Sequence, residues 1–428
     1  MLKNNSIVVK NIKLDNSKIL YDYQVTGKVA EVFRSQKMQI DYFEDISTAP
    51  KSIAVIPFLT NILPIAWVYD AIIEVDEIDE DFLNQLKDIK HGYQQMYPKI
   101  KFGGKLIAKN IIKNKLADNC SESALLFSGG VDATSSLITM LDNQMSPRLI
   151  TLWGADVKLD DVDGWTEKSN HTKYVADLFQ LKYSLIKSNF RTFINESVLD
   201  SLVEKSAGDM WWHGFQHGIG ILGHAAPLIF KYNIAELHIA ASFTYGNTVP
   251  CASDPTIDEH FTIAGNRTVH NGYDKTRQAK VKNIYCFKNN HPEIGNLPIK
   301  VCWKSQGAKN CGKCEKCMRT ACEFLAEGGD VVGLSLEKFD GNYAKDFIIN
   351  KFWLTENLRA DWTGAQASLI KNDPQFKRKS DNINWLKEVD FNKINNKFSK
   401  QIKHRITIID KTMRKLIPRK IKNIIKGN

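Results

Sequence analysis

The spacing of apolar positions changes character along the chain. Near the N-terminus, short runs rich in Ile, Val and Tyr occur at Ser6–Lys10, Ile19–Val25 and Met38–Phe43, separated by Asn, Asp and Gly. Runs of this kind predict strands. The apolar stretch Ile53–Val75 follows. An acidic run (Asp70, Glu74, Asp76, Glu77, Asp79, Glu80, Asp81) then reads as a solvated rim leading into a helix near 79–96. Residues 1–115 are thus expected to form an N-terminal strand-rich α+β domain. From Ser123 short apolar runs alternate with longer helical stretches. Strands are predicted at Ala124–Phe127, Arg148–Trp153, Tyr183–Lys187 and Glu236–Ser242, and helices at Ala133–Asn143, Trp165–Leu178 and Gly214–Tyr232. This succession predicts an α/β fold with a doubly wound parallel sheet and a ligand at the carboxyl ends of its strands.

Composition leaves that picture intact and adds two constraints. Of 428 residues, 43% are hydrophobic and 25% charged, which excludes a disordered or fibrous chain. Neither an apolar leader behind Met1 nor a membrane span is legible, since Ile53–Val68 is short and interrupted by Pro57 and Pro64, and a cytoplasmic location is expected. The net charge of +10 is local. Residues 393–428 hold nine Lys and three Arg against one Asp, leaving 46 basic and 47 acidic residues in the preceding body. A body that gripped nucleic acid along a groove would carry more of this charge itself.

The segment Leu125-Leu126-Phe127-Ser128-Gly129-Gly130-Val131-Asp132-Ala133-Thr134 runs from a strand through two glycines into a helix. Glycines let backbone N–H groups approach an anion, and the helix N-terminus adds partial positive charge. Ser128, Thr134 and Ser135 offer hydroxyls, and Asp132 beside phosphates implies an intervening Mg²⁺. The string resembles the Ser-Gly-Gly-x-Asp-Ser signature of the PP-loop (N-type) ATP pyrophosphatases, a Rossmann-like group that cleaves ATP to AMP and pyrophosphate while adenylating a substrate oxygen. The last serine of that signature is Ala133 here, with Thr134 and Ser135 after it. The resemblance implies ATP and Mg²⁺ as ligands of Ser128, Gly129, Gly130, Asp132, Thr134 and Ser135, with Gly154, at the end of the second strand, near adenine.

Cys302, Cys311, Cys314 and Cys317 form C-x8-C-x2-C-x2-C. In a chain without a legible secretory leader, such pairs point to metal, and four thiolates suit a closed, structural Zn²⁺ site. An iron–sulfur cluster is the competing occupant. Lys309, Lys313, Lys316 and Arg319 are expected to offset the negative charge of the site. The spacing is similar to that of the 7-cyano-7-deazaguanine synthases (the QueC group), and the likeness covers roughly residues 120–325. The segment Val301-Cys302-Trp303 with Asn310–Thr320 is closer still to a QueC-like branch often found in surface-polysaccharide gene clusters. The expected division is a PP-loop domain with its zinc site at 120–326, an extension at 327–392 and a basic tail at 393–428.

The long polar stretch Phe243–Gly272 follows a core strand, where such a loop is usually functional. Asp254, Asp258 and His270 are its candidates for substrate or metal contacts, with ordinary turn chemistry as the competing reading. Lys275 and Arg277 are candidates to neutralise transferring phosphates, a solvated helix face serving equally well for Arg277. His213, His217 and His224 share a helix face. A role near the nucleotide suits His217, and a satisfied buried histidine suits His224.

In the tail, Ile394, Phe398, Ile402, Ile409, Met413, Leu416 or Ile417, Ile421 and Ile424 recur with Lys and Arg between them, the pattern of a cationic amphipathic helix broken near Pro418. An anionic membrane surface (the inner face), nucleic acid and the chain's own acidic N-terminal region are its three candidate partners. The expected function is an AMP- and pyrophosphate-forming ligase or amidotransferase that adenylates a carboxylate or amide oxygen, a sugar acid of a surface polysaccharide being the acceptor the resemblance implies, and transfers an amine or ammonia. Asp132, Lys275, Asp254 and Asp258 carry the catalytic roles in this reading. The alternatives are an RNA-modifying enzyme using Cys251 for sulfur transfer and a non-catalytic ATP-binding module. A homodimer is the expected assembly.

Overall fold

The computed structural model describes residues 5–246, 249–302, 309–372, 381–396, 400–401 and 404–406. One ten-stranded sheet organises residues up to Thr276. Its strands are β1 (Ser6–Asp15), β2 (Lys18–Thr26), β3 (Gln39–Asp41), β4 (Ile72–Asp79), β5 (Lys105–Ile112), β6 (Glu122–Leu126), β7 (Arg148–Trp153), β8 (Tyr183–Ser188), β9 (Ile234–Ala240) and β10 (Arg267–Asn271), in the order β10-β9-β6-β7-β8-β3-β2-β1-β4-β5. The five strands from β10 to β8 are all parallel. Chain order runs outward from β6 through β7 to β8 on one side and resumes with β9 and β10 on the other. Ligands of open parallel sheets sit where the order reverses, so the carboxyl end of β6 is the place to look.

The boundary expected near residue 115 is not a boundary of the sheet. Antiparallel β3 pairs Ile40 with Ser188 and Asp41 with Lys187 of β8, and β2, β1, β4 and β5 continue outward from it. Residues 1–276 with 286–309 form one compact unit; 277–285 with 310–428 form the second. The apolar pattern announced strands near the N-terminus but not their partners, because pairing with β8 is a contact across about 150 residues of chain. The acidic run is solvated as expected at Asp70, Glu74 and Asp76 and leads into the expected helix, but it belongs to a strand with a buried face. β4 passes through it with Ile73, Val75 and Ile78 buried, while Asp79, fully buried, caps the helix Glu80–Met96 by accepting from the Phe82 amide. The helix Ile56–Tyr69 is buried on every side. An apolar surface all round is what a central core helix needs, and periodicity cannot distinguish it from a buried strand.

The stretch expected as a single helix at 214–232 is three pieces: a π-helical turn at Trp212–Gln216, then helices His217–His224 and Ala226–Tyr232, the last with Pro227 in its first turn. Among the described residues no helix is long and apolar enough to cross a membrane.

The second unit is built around Met318, Cys322, Ile348, Trp362 and Leu386. Its helix Glu315–Ala326 carries a buried charge cluster. Arg319 donates to Glu315 (2.8 Å), Glu323 (3.3 Å) and Asp361 (2.7 Å), and Arg277 to Glu323 (3.1 Å). Arg319 and Arg277 are thereby committed to carboxylates, so neither the thiolate-balancing role expected of Arg319 nor the phosphate or solvated role expected of Arg277 holds. Of the amphipathic tail, Ile394 is buried; Phe398, Ile402 and all positions from Ile409 onward lie outside the described residues, as does Trp303.

Candidate functional site

The phosphate-loop candidate occupies the carboxyl end of β6. The strand is buried along Ser123–Leu126, Phe127 continues it, and the helix Val131–Asp142 begins after a bend at Gly129 and Gly130. Gly129 has φ +74°, the left-handed region. A methyl group there would overlap the His171 ring, coming within 2.5 Å of Nδ1. Glycine is therefore required twice over, by backbone and by space. A side chain at Gly130 meets only ordinary contacts, the nearest being Ser128 Oγ at 3.5 Å, so the protein itself does not demand glycine there.

The loop and the helix beside it are held from outside by residues 296–300. The Lys300 amide donates to Gly129 O (2.7 Å), His171 reaches Pro298 O through Nε2 (2.9 Å), and the Tyr174 hydroxyl donates to Asn296 O (2.8 Å). Burial pushes His171 down to about 4, so its ring is neutral near pH 7 and Nε2 is the donor to that carbonyl. The Lys300 ammonium pairs with Glu167, and that bond holds the Glu167 carboxyl below its usual range. Sequence reading missed Lys300, His171 and Glu167. The available signal was the lone lysine in the apolar run Ile299-Lys300-Val301.

A helix starting at Val131 presents first-turn amides that have no intrahelical acceptor. Ser128 is exposed and Asp132 half-buried in that turn. Thr134 and Ser135 are buried, and Thr134 Oγ1 has no hydrogen-bond partner among the described residues. A buried hydroxyl left unsatisfied costs about 1–3 kcal/mol and calls for an explanation. Gly154, just past β7, has φ +108° and packs so tightly on the Ser188 carbonyl that any side chain would overlap it. That suffices to explain the glycine without a nucleotide.

The other candidates divide. Lys275 donates to Thr139 (2.9 Å), two turns along the helix from Asp132, so its ammonium sits beside the loop helix and not at its N-terminus. Asp254 spends Oδ1 on the amide and hydroxyl of Thr256 (3.0 and 2.7 Å), capping the short helix Pro255–Asp258. This is the turn chemistry that competed with a functional role, and it corrects the catalytic assignment. Asp258 is fully buried; its Oδ2 accepts from Ser253 Oγ (2.7 Å) and His270 Nδ1 (2.9 Å), and its Oδ1 has no partner among the described residues. With both side chains shielded, the pair holds the loop's interior and is not presented to a substrate. His224 is likewise buried and satisfied, between Gly220 O (2.6 Å) and Ser188 Oγ (2.9 Å), as expected. His217 packs edge-on against Trp212, with burial pushing its imidazole down. Cys251 is buried against Ser253 O, and burial pushes its thiol up to about 12. A thiol held protonated is poorly suited to sulfur transfer, which needs thiolate.

The metal centre is legible in the geometry. The sulfurs of Cys302, Cys311, Cys314 and Cys317 all lie within 4.8 Å of one another, and those of Cys311 and Cys317 are 4.0 Å apart. Tetrahedral Zn²⁺ with Zn–S of about 2.3 Å sets neighbouring sulfurs about 3.8 Å apart. The spacing suits a single ion such as zinc, whereas a multi-iron cluster would spread its ligands wider. The amides of Lys313 and Cys314 point at Cys311 Sγ (3.4 and 3.3 Å), supplying donors that steady a thiolate. No family model matches the chain, and no curated protein matches it in sequence.

Proposed function

We propose that the chain is an AMP-forming ligase that holds the pyrophosphate of ATP on Ser128–Asp132 and joins an amine or ammonia to a carboxylate. The observation that carries this reading is the buried Thr134 hydroxyl, unpartnered among the described residues and one turn into a helix whose preceding loop tolerates only glycine at 129. An anion seated there would accept from that hydroxyl and from the first-turn amides. Asp132 would hold Mg²⁺, which neutralises phosphate charge.

The reaction so read has two halves. A carboxylate oxygen of the acceptor forms a bond to the α-phosphorus of ATP, and the bond to pyrophosphate breaks. The amine nitrogen then attacks the acyl carbon, loses a proton, and AMP leaves. The chain contributes orientation and charge neutralisation to the first half. A sugar acid as acceptor and an anionic membrane surface for the basic tail belong to the same proposal. They rest on the sequence resemblance and on the charge of residues 393–428 respectively.

Pyrophosphate release from ATP against a panel of carboxylates, with Asp132→Ala as control, tests the reading. Acceptor-dependent release abolished by the substitution is expected. Tight ATP binding without release would make the chain a binding module, and no ATP binding would end the reading.

A further inference from the structure

Four histidines form ion-pair-distance contacts with carboxylates among the described residues, and they differ in the one respect that matters for proton transfer. His270–Asp258 is sealed, with 1% and 0% of the side chains exposed. In His238–Glu236 the imidazole is also buried, at 6%, and in His291–Glu293 both partners are open, at 45% and 68%. His213–Asp209 combines an accessible imidazole (45%) with a shielded carboxylate (19%). A base needs that combination: a ring that substrate can reach and a partner that solvent does not screen.

The geometry fixes the roles within the pair. His213 Nδ1 lies 2.7 Å from Asp209 Oδ2, and the Tyr97 hydroxyl donates to the same oxygen at 3.0 Å. The carboxylate can only accept, so Nδ1 carries the proton and Nε2 holds the lone pair. Burial works against the Asp209 charge, but the hydrogen bond from His213 holds its carboxyl below the usual range.

Its place in the fold is the carboxyl edge of the strands that flank the phosphate loop. His213 belongs to the π-helical turn Trp212–Gln216, a backbone irregularity that recurs at functional sites. Its ring lies edge-on to Phe243, three residues beyond β9, and its carbonyl accepts from the Ala252 amide. Next to it, Trp212 carries the Arg191 guanidinium on its face at 4.1 Å, and Arg191 donates to Ala155 O, beyond the end of β7. Residues following β7, β8 and β9 thus converge on this turn, and β6 lies between β7 and β9.

Building on the ligase reading above, we propose that His213 is the base that takes the proton from the attacking amine in the second half-reaction, with Asp209 as its positioning residue. The amine nitrogen forms its bond to the acyl carbon, its proton passes to His213 Nε2, and the acyl–oxygen bond to AMP breaks.

The test separates the halves, using the carboxylate that gives the fastest ATP–pyrophosphate exchange and ammonia as the amine. His213→Gln and Asp209→Asn should lower amide formation relative to exchange by about 10²-fold or more, the scale of general-base catalysis. Hydroxylamine, a strong nucleophile that is neutral at pH 7, should restore product formation in both variants. His213 is accessible and Asp209→Asn keeps the size of its side chain, so the variants should fold, which thermal unfolding checks. Exchange and amide formation falling together, or an unchanged ratio, would overturn the assignment of His213 and leave the ligase reading standing. Absence of exchange in the wild-type protein would remove both.

Discussion

Replacing Gly129 by alanine tests the phosphate loop where the packing argument is sharpest. The added methyl meets two penalties. At φ +74° an L-residue costs about 1–2 kcal/mol relative to glycine. The methyl also overlaps the His171 ring, which is stacked on Phe127 and tied to Pro298 O and so does not swing aside cheaply. Overpacking of this kind costs about 1–3 kcal/mol. Together Gly129→Ala should destabilise the first unit by about 2–5 kcal/mol, with roughly 2–4 °C of its unfolding temperature lost per kcal/mol. Only the steric part depends on the ring. In a His171→Ala background the same substitution should cost only the backbone part, so the double-mutant cycle should show a coupling of about 1–3 kcal/mol. Differential scanning calorimetry of the four proteins measures it. Additive effects, or a Gly129→Ala protein as stable as its parent, would refute the reasoning that His171 packs directly against the loop.

Thr134→Val should leave the unliganded protein as stable or more stable by about 1 kcal/mol, since it removes a buried hydroxyl without a partner among the described residues. The same variant should weaken ATP binding in calorimetric titration, and unchanged affinity would remove the hydroxyl from the site. Metal analysis of the purified protein should find one zinc per chain. Cys314→Ser or Cys317→Ser should lower that content and the stability of the second unit, whereas iron with visible absorption would replace zinc by a cluster. Stability should fall between pH 6.5 and 4, because His171 and His224 are held neutral in the folded chain, both down to about 4, and the unfolded chain takes up their protons first. The loss amounts to about 3 kcal/mol per histidine at full effect. His224→Gln should flatten part of that limb in urea titrations, and an unchanged pH profile would deny the burial argument.

The parallel strands were legible because a buried strand in an α/β sheet is a short apolar run between turn residues. The predicted ranges for β7 and β8 match the observed ones to within a residue. The edge strand β10 was not, being polar at every position but Val269 and hidden inside a long loop. The cysteine spacing foretold its own cluster, since ligands three residues apart reach one ion whatever surrounds them. The roles of Asp254, Asp258 and Arg277 were not legible. A carboxylate or guanidinium has the same letter whether it caps a helix, seals a core or meets a substrate, and only burial and partners tell these apart.

Two local features, then, were settled by sequence alone: a glycine-bearing strand-to-helix turn and a four-thiolate cluster, both made by residues close along the chain. Tertiary structure decided what lies around them. It joined β1–β5 to the parallel sheet through β3 and β8, and it set His171 and Lys300 against Gly129. It also brought Phe243, from beyond β9, against the ring of His213. Each of these depends on register and packing between segments far apart in the chain, where free energy is gained by mutual fit and no single segment carries the signal.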